Sequence, residues 1–295
     1  MNHLTILEKP QVPLEYLIVA FAGWADASEA ATSTVKYIHR RLGARKCAEI
    51  DPEEFYDFTQ TRPTSVRTKE GHRRVKWPAN EFAFSVNPDS NKGMMFFLGI
   101  EPNLHWRAFS ETIACLAQEW GVKTVVHLGA LLDSVPHTRE VRLTGSATDD
   151  DLRRMLEGSD IRSSNYQGPT GISSAVLEAC ANQGMGYVSL WGHTSHYLQA
   201  APNYRVSYTL AKTLTSLLDL PLDLADLSGA ADHFDQEVAK AIEKDEQISA
   251  YVSKLESQYE ESLGSDGIPD PSEVVQDLEQ FLRSQHRRRT DDQSL

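Results

Sequence analysis

The chain has 295 residues and a formal net charge of −13, from 42 acidic and 29 basic residues. This acidic balance argues against broad binding to nucleic acid or to an anionic membrane, because both need a basic face. Three scattered cysteines predict neither a disulfide framework nor a structural zinc site. With no secretion signal or membrane-spanning run in the sequence, we expect a cytoplasmic protein.

The first element pair is a strand followed by a helix. Tyr16 to Phe21 is a continuous apolar run, which is typical of a strand buried on both faces. Gly23 then turns the chain, and Asp26 with Glu29 has the spacing of a capping box. The pattern predicts a helix from residue 27 to about residue 42.

The next segment, from Cys47 to Lys92, has a different pattern. Three short runs lie between turn residues and contain no helical periodicity. They cover Phe55 to Phe58, Arg73 to Trp77, and Glu81 to Val86. We expect antiparallel strands here, in a hairpin extension of the sheet.

Strands and helices then alternate. Strands are predicted at 94–100, 124–128, 141–146 and 186–191. Helices are predicted from 103 to 120, over a short segment beginning at 148, from 173 to about 182, and from 202 to 218. Thr148 is the predicted cap of the second of these helices, with Asp151 at the capping-box position. This alternation predicts an α/β fold, a three-layer α/β/α sandwich with a mostly parallel central sheet.

The composition changes after residue 220. Asp232 to Leu263 is charged, lacks Gly and Pro, and carries an apolar stripe, so one amphipathic helix is expected. Asp270 and Pro271 predict the start of a second helix. We therefore divide the chain into a core, residues 1–220, and a C-terminal helical hairpin with a disordered tail, residues 221–295. The hairpin packs on its own domain or a sister subunit, or it binds a protein partner.

Ligands of parallel α/β sheets bind where the strands end in loops. Gly23 and Asp26 follow the first predicted strand, and Glu101 and Asp133 follow two later ones. Such carboxylates act as general bases if buried, but more often they hold loops by accepting backbone N–H bonds. Asp26 is already explained as a helix cap.

Gly168, Thr170, Gly171 and Ser173 form a loop directly before a predicted helix. The backbone N–H groups, the hydroxyls and the helix dipole can hold a phosphate or carboxylate. The alternative is a tight turn in which Thr170 or Ser173 caps the helix. The loop matches neither a phosphate-binding P-loop nor a dinucleotide fingerprint, so no cofactor is predicted.

His193 and His196 follow the strand at 186–191 and could serve metal binding or acid–base chemistry. No carboxylate motif accompanies the pair, so no metal site is predicted. No serine lies in a nucleophile elbow either. The sequence therefore contains no catalytic signature.

Five strand-end motifs together resemble the proteasome assembly chaperone 2 family, PAC2, in its actinobacterial-type branch. The similarity covers roughly residues 16–220. The motifs that carry it are Phe21-Ala22-Gly23-Trp24-Ala25-Asp26-Ala27, Leu98-Gly99-Ile100-Glu101-Pro102 with Trp106, Leu128-Gly129-Ala130, Gly168-Pro169-Thr170-Gly171-Ile172, and Trp191-Gly192-His193-Thr194-Ser195-His196-Tyr197.

The resemblance implies a fold similar to that of purine nucleoside phosphorylases, which often assemble into trimers or larger rings. Eukaryotic relatives are non-catalytic chaperones that bind proteasome subunits. We therefore expect a non-catalytic interaction protein that forms a homo-oligomer. A trimer is one assembly that this fold allows. The alternative is a phosphorylase-type or hydrolase-type enzyme that binds an anion, a nucleoside or phosphate at the strand-end loops; a shared fold does not transfer a reaction.

Overall fold

A mixed nine-stranded sheet forms the centre of the computed structural model, which describes residues 3–87, 92–159, 161–164, 166–198 and 200–263. The strands of this sheet are β1 (Leu4–Ile6), β2 (Leu14–Ala22), β3 (Arg45–Ile50), β6 (Glu81–Asn87), β7 (Lys92–Ile100), β8 (Thr124–Asp133), β9 (Leu143–Ala147), β10 (Arg162–Ser163) and β11 (Gly186–Ser195). Two further strands, β4 (Thr64–Arg67) and β5 (Arg73–Lys76), pair only with each other.

Seven α-helices are present in the described part of the chain. They are α1 (Ala30–Arg41), α2 (Trp106–Glu119), α3 (Asp150–Glu157), α4 (Ile172–Asn182), α5 (Tyr204–Leu217), α6 (Ala225–Ile242) and α7 (Glu246–Leu263). A short 3-10 helix, Ala27–Glu29, precedes α1. No helix in the described residues is long and apolar enough to cross a membrane.

The strand order is β1-β3-β6-β7-β2-β8-β11-β9-β10. The four central strands, β7, β2, β8 and β11, are parallel to one another. The predicted parallel arrangement applies to this centre, whereas β1, β3 and β6 continue the sheet in antiparallel pairs on one side. On the other side, β9 is antiparallel to β11. The sheet as a whole is mixed.

The two faces of the sheet are covered by different helices, as in a three-layer sandwich. Alternate residues of β2 belong to two separate cores. Val19 and Phe21 pack with residues of α2 and α4. Ile18 and Ala20 pack with residues of α1 and α5. Burial on both faces is why this strand is a continuous apolar run in the sequence.

The predicted strand at Phe55 to Phe58 is wrong. These residues form turns, and Phe55 is buried against the ring of Phe109 with the centroids 5.1 Å apart. The Tyr56 hydroxyl donates to the Ile100 carbonyl oxygen at 2.6 Å. The apolar residues of this run therefore anchor a loop to the core. The other two predicted strands are confirmed as β5 and β6.

Two predicted helix boundaries also differ from the structure. Asp149, and not Thr148, caps α3 by accepting from the Leu152 backbone N–H at 2.9 Å. The helix expected from Asp232 to Leu263 is broken, because α6 ends at Ile242 and α7 begins at Glu246. The second helix of the predicted hairpin, which starts near Asp270, lies outside the described residues.

The apolar stripe of α7 packs on its own domain. Val252 and Leu255 form a small cluster with Tyr197, which follows β11. Arg139 reinforces the contact through ion pairs to Glu256 at 3.0 Å and to Glu260 at 2.6 Å. Of the predicted roles for this helix, packing on its own domain accounts for the stripe. The division of the chain at residue 220 stays a prediction.

Candidate functional site

The carboxyl ends of the four parallel strands lie along one edge of the sheet, in the order β7, β2, β8 and β11. All the predicted ligand-binding residues lie at or near this edge. They fall into two groups, one beyond β2 and β7 and the other beyond β8 and β11.

The first group is centred on Glu101. Its Oε1 atom accepts a hydrogen bond from the backbone N–H of Ile172, the first residue of α4, at 2.8 Å. A Cβ at Gly171 would lie only 2.8 Å from the same oxygen and 3.1 Å from the Trp24 ring. Gly23 has a φ of +121° and also approaches Glu101 closely. Both glycines thus permit a close approach of backbone to the Glu101 side chain.

Glu101 therefore provides the cap that was predicted for Thr170 or Ser173. Thr170 instead shares a hydrogen bond with the side chain of Ser174. Ser173 is buried, and its carbonyl oxygen accepts from the Tyr187 hydroxyl at 3.2 Å. The Glu101 carboxylate lies at the positive end of α4, which is the position where a bound anion was expected. Gly168 is exposed in the preceding loop.

Asp26 is a buried helix cap. Its Oδ1 accepts from the backbone N–H groups of Ala31 and Thr32 at 2.9 and 3.0 Å, and its Oδ2 accepts from the Thr32 hydroxyl at 2.5 Å. Burial raises the pKa of Asp26 above its ordinary value, although these hydrogen bonds oppose the rise. The capping box with Glu29 is wrong, because Glu29 has a φ of 52° and lies before α1.

The second group is centred on Asp133 at the end of β8. Its Oδ2 lies 2.7 Å from Nδ1 of His193 and 3.5 Å from the guanidinium of Arg142. Nε2 of His193 forms a hydrogen bond with the Thr144 hydroxyl at 3.0 Å. Burial acts to raise the pKa of Asp133, but the His193 hydrogen bond and the charges of His193 and Arg142 lower it below its ordinary value. The carboxylate is held ionised between the imidazole of His193 and the guanidinium of Arg142.

His196 connects this group to α7. Its Nδ1 bonds the Asp133 carbonyl oxygen at 3.0 Å, and its Nε2 lies 3.2 Å from the Tyr251 hydroxyl. Both histidines thus use both ring nitrogens within the chain. His193 borders a cavity of about 20 Å³, which has room for about one water molecule. The described residues contain no group of three side chains suited to hold a metal ion.

The structure therefore brings Glu101, Gly23 and Gly171 together, and it brings His193 and His196 together with Asp133. The first group follows β7 and β2, and the second follows β8 and β11, the next two strands in the sheet. Each polar group has a partner in the protein, and a ligand-binding role for these residues stays a prediction.

A feature that the sequence analysis missed is the apolar character of this edge. Four large side chains lie at the end of β8, in the loops after β2 and β7, or in the loop before α4, and each is about half exposed or more. They are Trp24 at 61 %, Leu104 at 47 %, Leu132 at 57 % and Tyr166 at 66 %. The signal was present in the sequence as large apolar residues inside short polar, glycine-rich loops. We call these four residues the strand-end patch.

The sequence profile of the PAC2 family matches residues 20–242, which include both groups and all four members of the strand-end patch. The chain belongs to the PAC2 family. None of the curated proteins matches the chain.

Solved structures of other PAC2-type proteins resemble this chain over most of its length. A PAC2 family protein from Streptomyces avermitilis is 34% identical, with a TM-score of 0.73 over 81% of this chain and 99% of that one. A proteasome-assembly chaperone homologue from Mycobacterium tuberculosis is 32% identical, with a TM-score of 0.72 over 80% of this chain and 99% of that one. An archaeal proteasome activator from Pyrococcus furiosus shares the fold at 19% identity, with a TM-score of 0.65 over 82% and 99% of the two chains.

Proposed function

We propose that this PAC2-family chain is a non-catalytic, assembly-chaperone-like protein that binds a protein partner at its strand-end edge. The observation that carries the proposal is the strand-end patch of Trp24, Leu104, Leu132 and Tyr166. Exposed aromatic and large aliphatic side chains are typical anchors of protein–protein interfaces.

The polar residues of the same edge support a structural role over a catalytic one. Glu101 caps α4, Asp26 caps α1, and Asp133 holds His193. A general base must reach the proton that it removes, within about 3 Å of a substrate atom. These carboxylates instead bond to groups of their own chain, and the apolar side chains are the ones that face solvent.

Similarity to another member of the family supports the proposed partner class. The Mycobacterium tuberculosis protein, which is 32% identical, is described as a proteasome-assembly chaperone homologue. By this similarity, we take proteasome core subunits as the partner. The proposal includes a cytoplasmic location and a homo-oligomer, with a trimer as the expected number of copies.

The C-terminal helices have a smaller part in the proposed interaction. The apolar face of α7 is occupied by Tyr197 of its own domain. A partner of α6 or α7 would have to bind the charged outer faces of these helices. The strand-end patch offers more exposed apolar surface and is therefore the proposed contact.

A matched pair of leucines allows a direct test. Leu132 belongs to the strand-end patch, and Leu7 directly follows β1, the outermost strand on one side of the sheet. Each of the two side chains is 57 % exposed. Purified proteasome α and β subunits of the same organism are titrated with wild type, Leu132→Asp and Leu7→Asp by biolayer interferometry. We expect Leu132→Asp to weaken binding at least tenfold, the size of a typical interface hot spot of ~1–3 kcal/mol, and Leu7→Asp to bind as wild type does. Absence of wild-type binding to any subunit, or an equal loss in both variants, contradicts the proposal.

A further inference from the structure

A cavity of about 770 Å³ lies beside α1, on the face of the sheet that this helix covers. Phe96 and Leu98 of β7 line it, and both pack in the same core as the buried face of α1. None of the residues predicted from the sequence to bind a ligand, all of which the structure describes, lines this cavity. Its volume is in the usual range of small-molecule sites, about 300–1,000 Å³. We call it the basic bay.

Basic side chains from two different elements line the basic bay. Lys36 and Arg40 come from α1 and lie on one face of the helix, because they are four residues apart. Arg62 and Lys76 come from the two ends of the β4–β5 hairpin, Arg62 just before β4 and Lys76 at the end of β5. We call these four side chains the bay cations.

The bay cations are not neutralised by acidic side chains. Glu81 is the one acidic residue of the lining, and it pairs with Lys46, the fifth basic residue there, at 2.7 Å. In the part of the chain that the structure describes, none of the bay cations forms an ion pair. The lining thus has a formal net charge of +4, from five Lys and Arg and one Glu, in a chain of net charge −13. A cleft lined by one sign of charge concentrates ligands of the opposite sign.

The chemistry of the lining favours linked phosphate groups. The planar guanidinium groups of Arg40 and Arg62 can each donate two parallel hydrogen bonds to phosphate oxygens, and lysines add point charges. Thr64 contributes a hydroxyl group. A phosphate group carries about two negative charges at neutral pH. A lining of net charge +4 is therefore matched by two or three linked phosphates rather than by one.

We infer that the basic bay binds a small molecule with two or more linked phosphate groups, which the bay cations of α1 and of the hairpin hold together. A free polyphosphate and the phosphate chain of a nucleotide share this chemistry. In a nucleotide, the planar base can also stack on Trp77, which lines the bay and is 49 % exposed. The inference does not depend on the proposed protein partner, because the bay and the strand-end patch share no residue.

Isothermal titration calorimetry of the full chain, in a buffer without divalent metal ions, tests the ligand class. We expect tripolyphosphate and ATP to bind at one site per chain, and adenosine and citrate to bind at least tenfold more weakly. Tighter binding of ATP than of tripolyphosphate, with the difference removed by Trp77→Ala, indicates the nucleotide as the source; equal affinities indicate free polyphosphate. No binding of tripolyphosphate, or citrate binding as tightly, overturns the inference.

Two double variants test whether both elements hold the ligand. One is Lys36→Ala with Arg40→Ala on α1, and the other is Arg62→Ala with Lys76→Ala at the hairpin. All four side chains are exposed, so the melting temperature should stay that of wild type. Each double variant should bind tripolyphosphate at least tenfold more weakly. Wild-type affinity in either variant overturns the inference.

A matched control removes the same number of charges outside the bay. Arg107 on α2 and Lys123 before β8 are exposed and do not line the bay. Arg107→Ala with Lys123→Ala should bind tripolyphosphate as wild type does, and an equal loss in this control would mean that net charge alone attracts the anion, which overturns the inference. Hexaglutamate binding more tightly than tripolyphosphate assigns the bay to an acidic protein segment and also overturns it.

A histidine in the bay reports where the anion binds. His39 lines the bay, with its ring edge-on to Phe96 and the centroids 5.8 Å apart. Saturating tripolyphosphate should shift the imidazole C–H signals of His39 in NMR spectra, which are assigned by their loss in His39→Gln. The signals of His233, exposed on α6, should not move. Unchanged His39 signals at saturation place the anion elsewhere and overturn the inference.

Discussion

His127 is a fully buried histidine on β8 whose two ring nitrogens have no hydrogen-bond partner among the described residues. Aromatic rings surround it, with centroids at 6.2 Å for Phe21, 6.4 Å for Tyr187 and 5.4 Å for Trp191. A protonated imidazole would be poorly solvated in this position. Burial accordingly lowers the pKa of His127 from 6.5 to about 4.

This pKa difference makes the stability of the protein depend on pH. Above pH 6.5 the ring is neutral in the folded and unfolded states, and the full stability is present. As the pH falls from 6.5 towards 4, the unfolded state takes up a proton that the folded state does not, and stability is lost. The difference between the two pKa values corresponds to a loss of about 3 kcal/mol.

The assay is urea unfolding of wild type and His127→Phe between pH 8 and pH 4.5. The variant should lose this part of the pH dependence, so the difference in unfolding free energy between the proteins should grow as the pH falls. It should also be more stable by ~1–3 kcal/mol at pH 8, because two buried nitrogens without partners are removed. The same substitution at the exposed His233 is the control. Parallel pH profiles for wild type and His127→Phe would refute the reasoning.

Two further predictions concern the strand-end edge. Glu101→Ala removes the cap of α4 and should lower the unfolding free energy by ~0.5–2 kcal/mol in urea titrations. The control is Glu111→Ala, at an exposed position of α2. An equal loss of unfolding free energy in both variants would count against the cap. Leu255→Ala removes a 1 % exposed side chain from the small cluster under α7, where such truncations cost ~2–5 kcal/mol. It should speed trypsin cleavage within α7 at Lys254, and unchanged cleavage would argue that the Arg139 ion pairs alone hold the helix.

The sequence predicts the centre of the fold well because strands that helices cover on both faces are continuous apolar runs in the sequence. The run at 16–21 is apolar throughout, and the structure buries both of its faces. The loop at 55–58 misled the analysis for a related reason. Phe55 is equally apolar, but its burial comes from Phe109 on a distant helix. A short apolar run does not by itself distinguish a buried strand from a loop whose side chains reach the core.

Helix boundaries show which local signals were overlooked. Asp245 begins α7 by accepting from the backbone N–H groups of Gln247 at 3.0 Å and Ile248 at 3.2 Å. An aspartate at that position is an ordinary N-cap, and it ends the expected long helix without Gly or Pro. The α4 cap is different, because Glu101 is 71 residues away from Ile172 in the chain. No local pattern predicts a cap that tertiary structure supplies.

The glycine-rich loops at the strand ends have a structural explanation that bears on function. A Cβ at Gly129 would lie 2.6 Å from the Trp191 ring, and one at Gly171 would meet Glu101 and Trp24. These glycines let large side chains and caps pack against the backbone at the sheet edge. Since the polar groups there are already bonded within the chain, the surface left to a partner is the apolar strand-end patch. The same loop composition that suggests a ligand site thus supports a protein-binding surface once the partner of each polar group is identified.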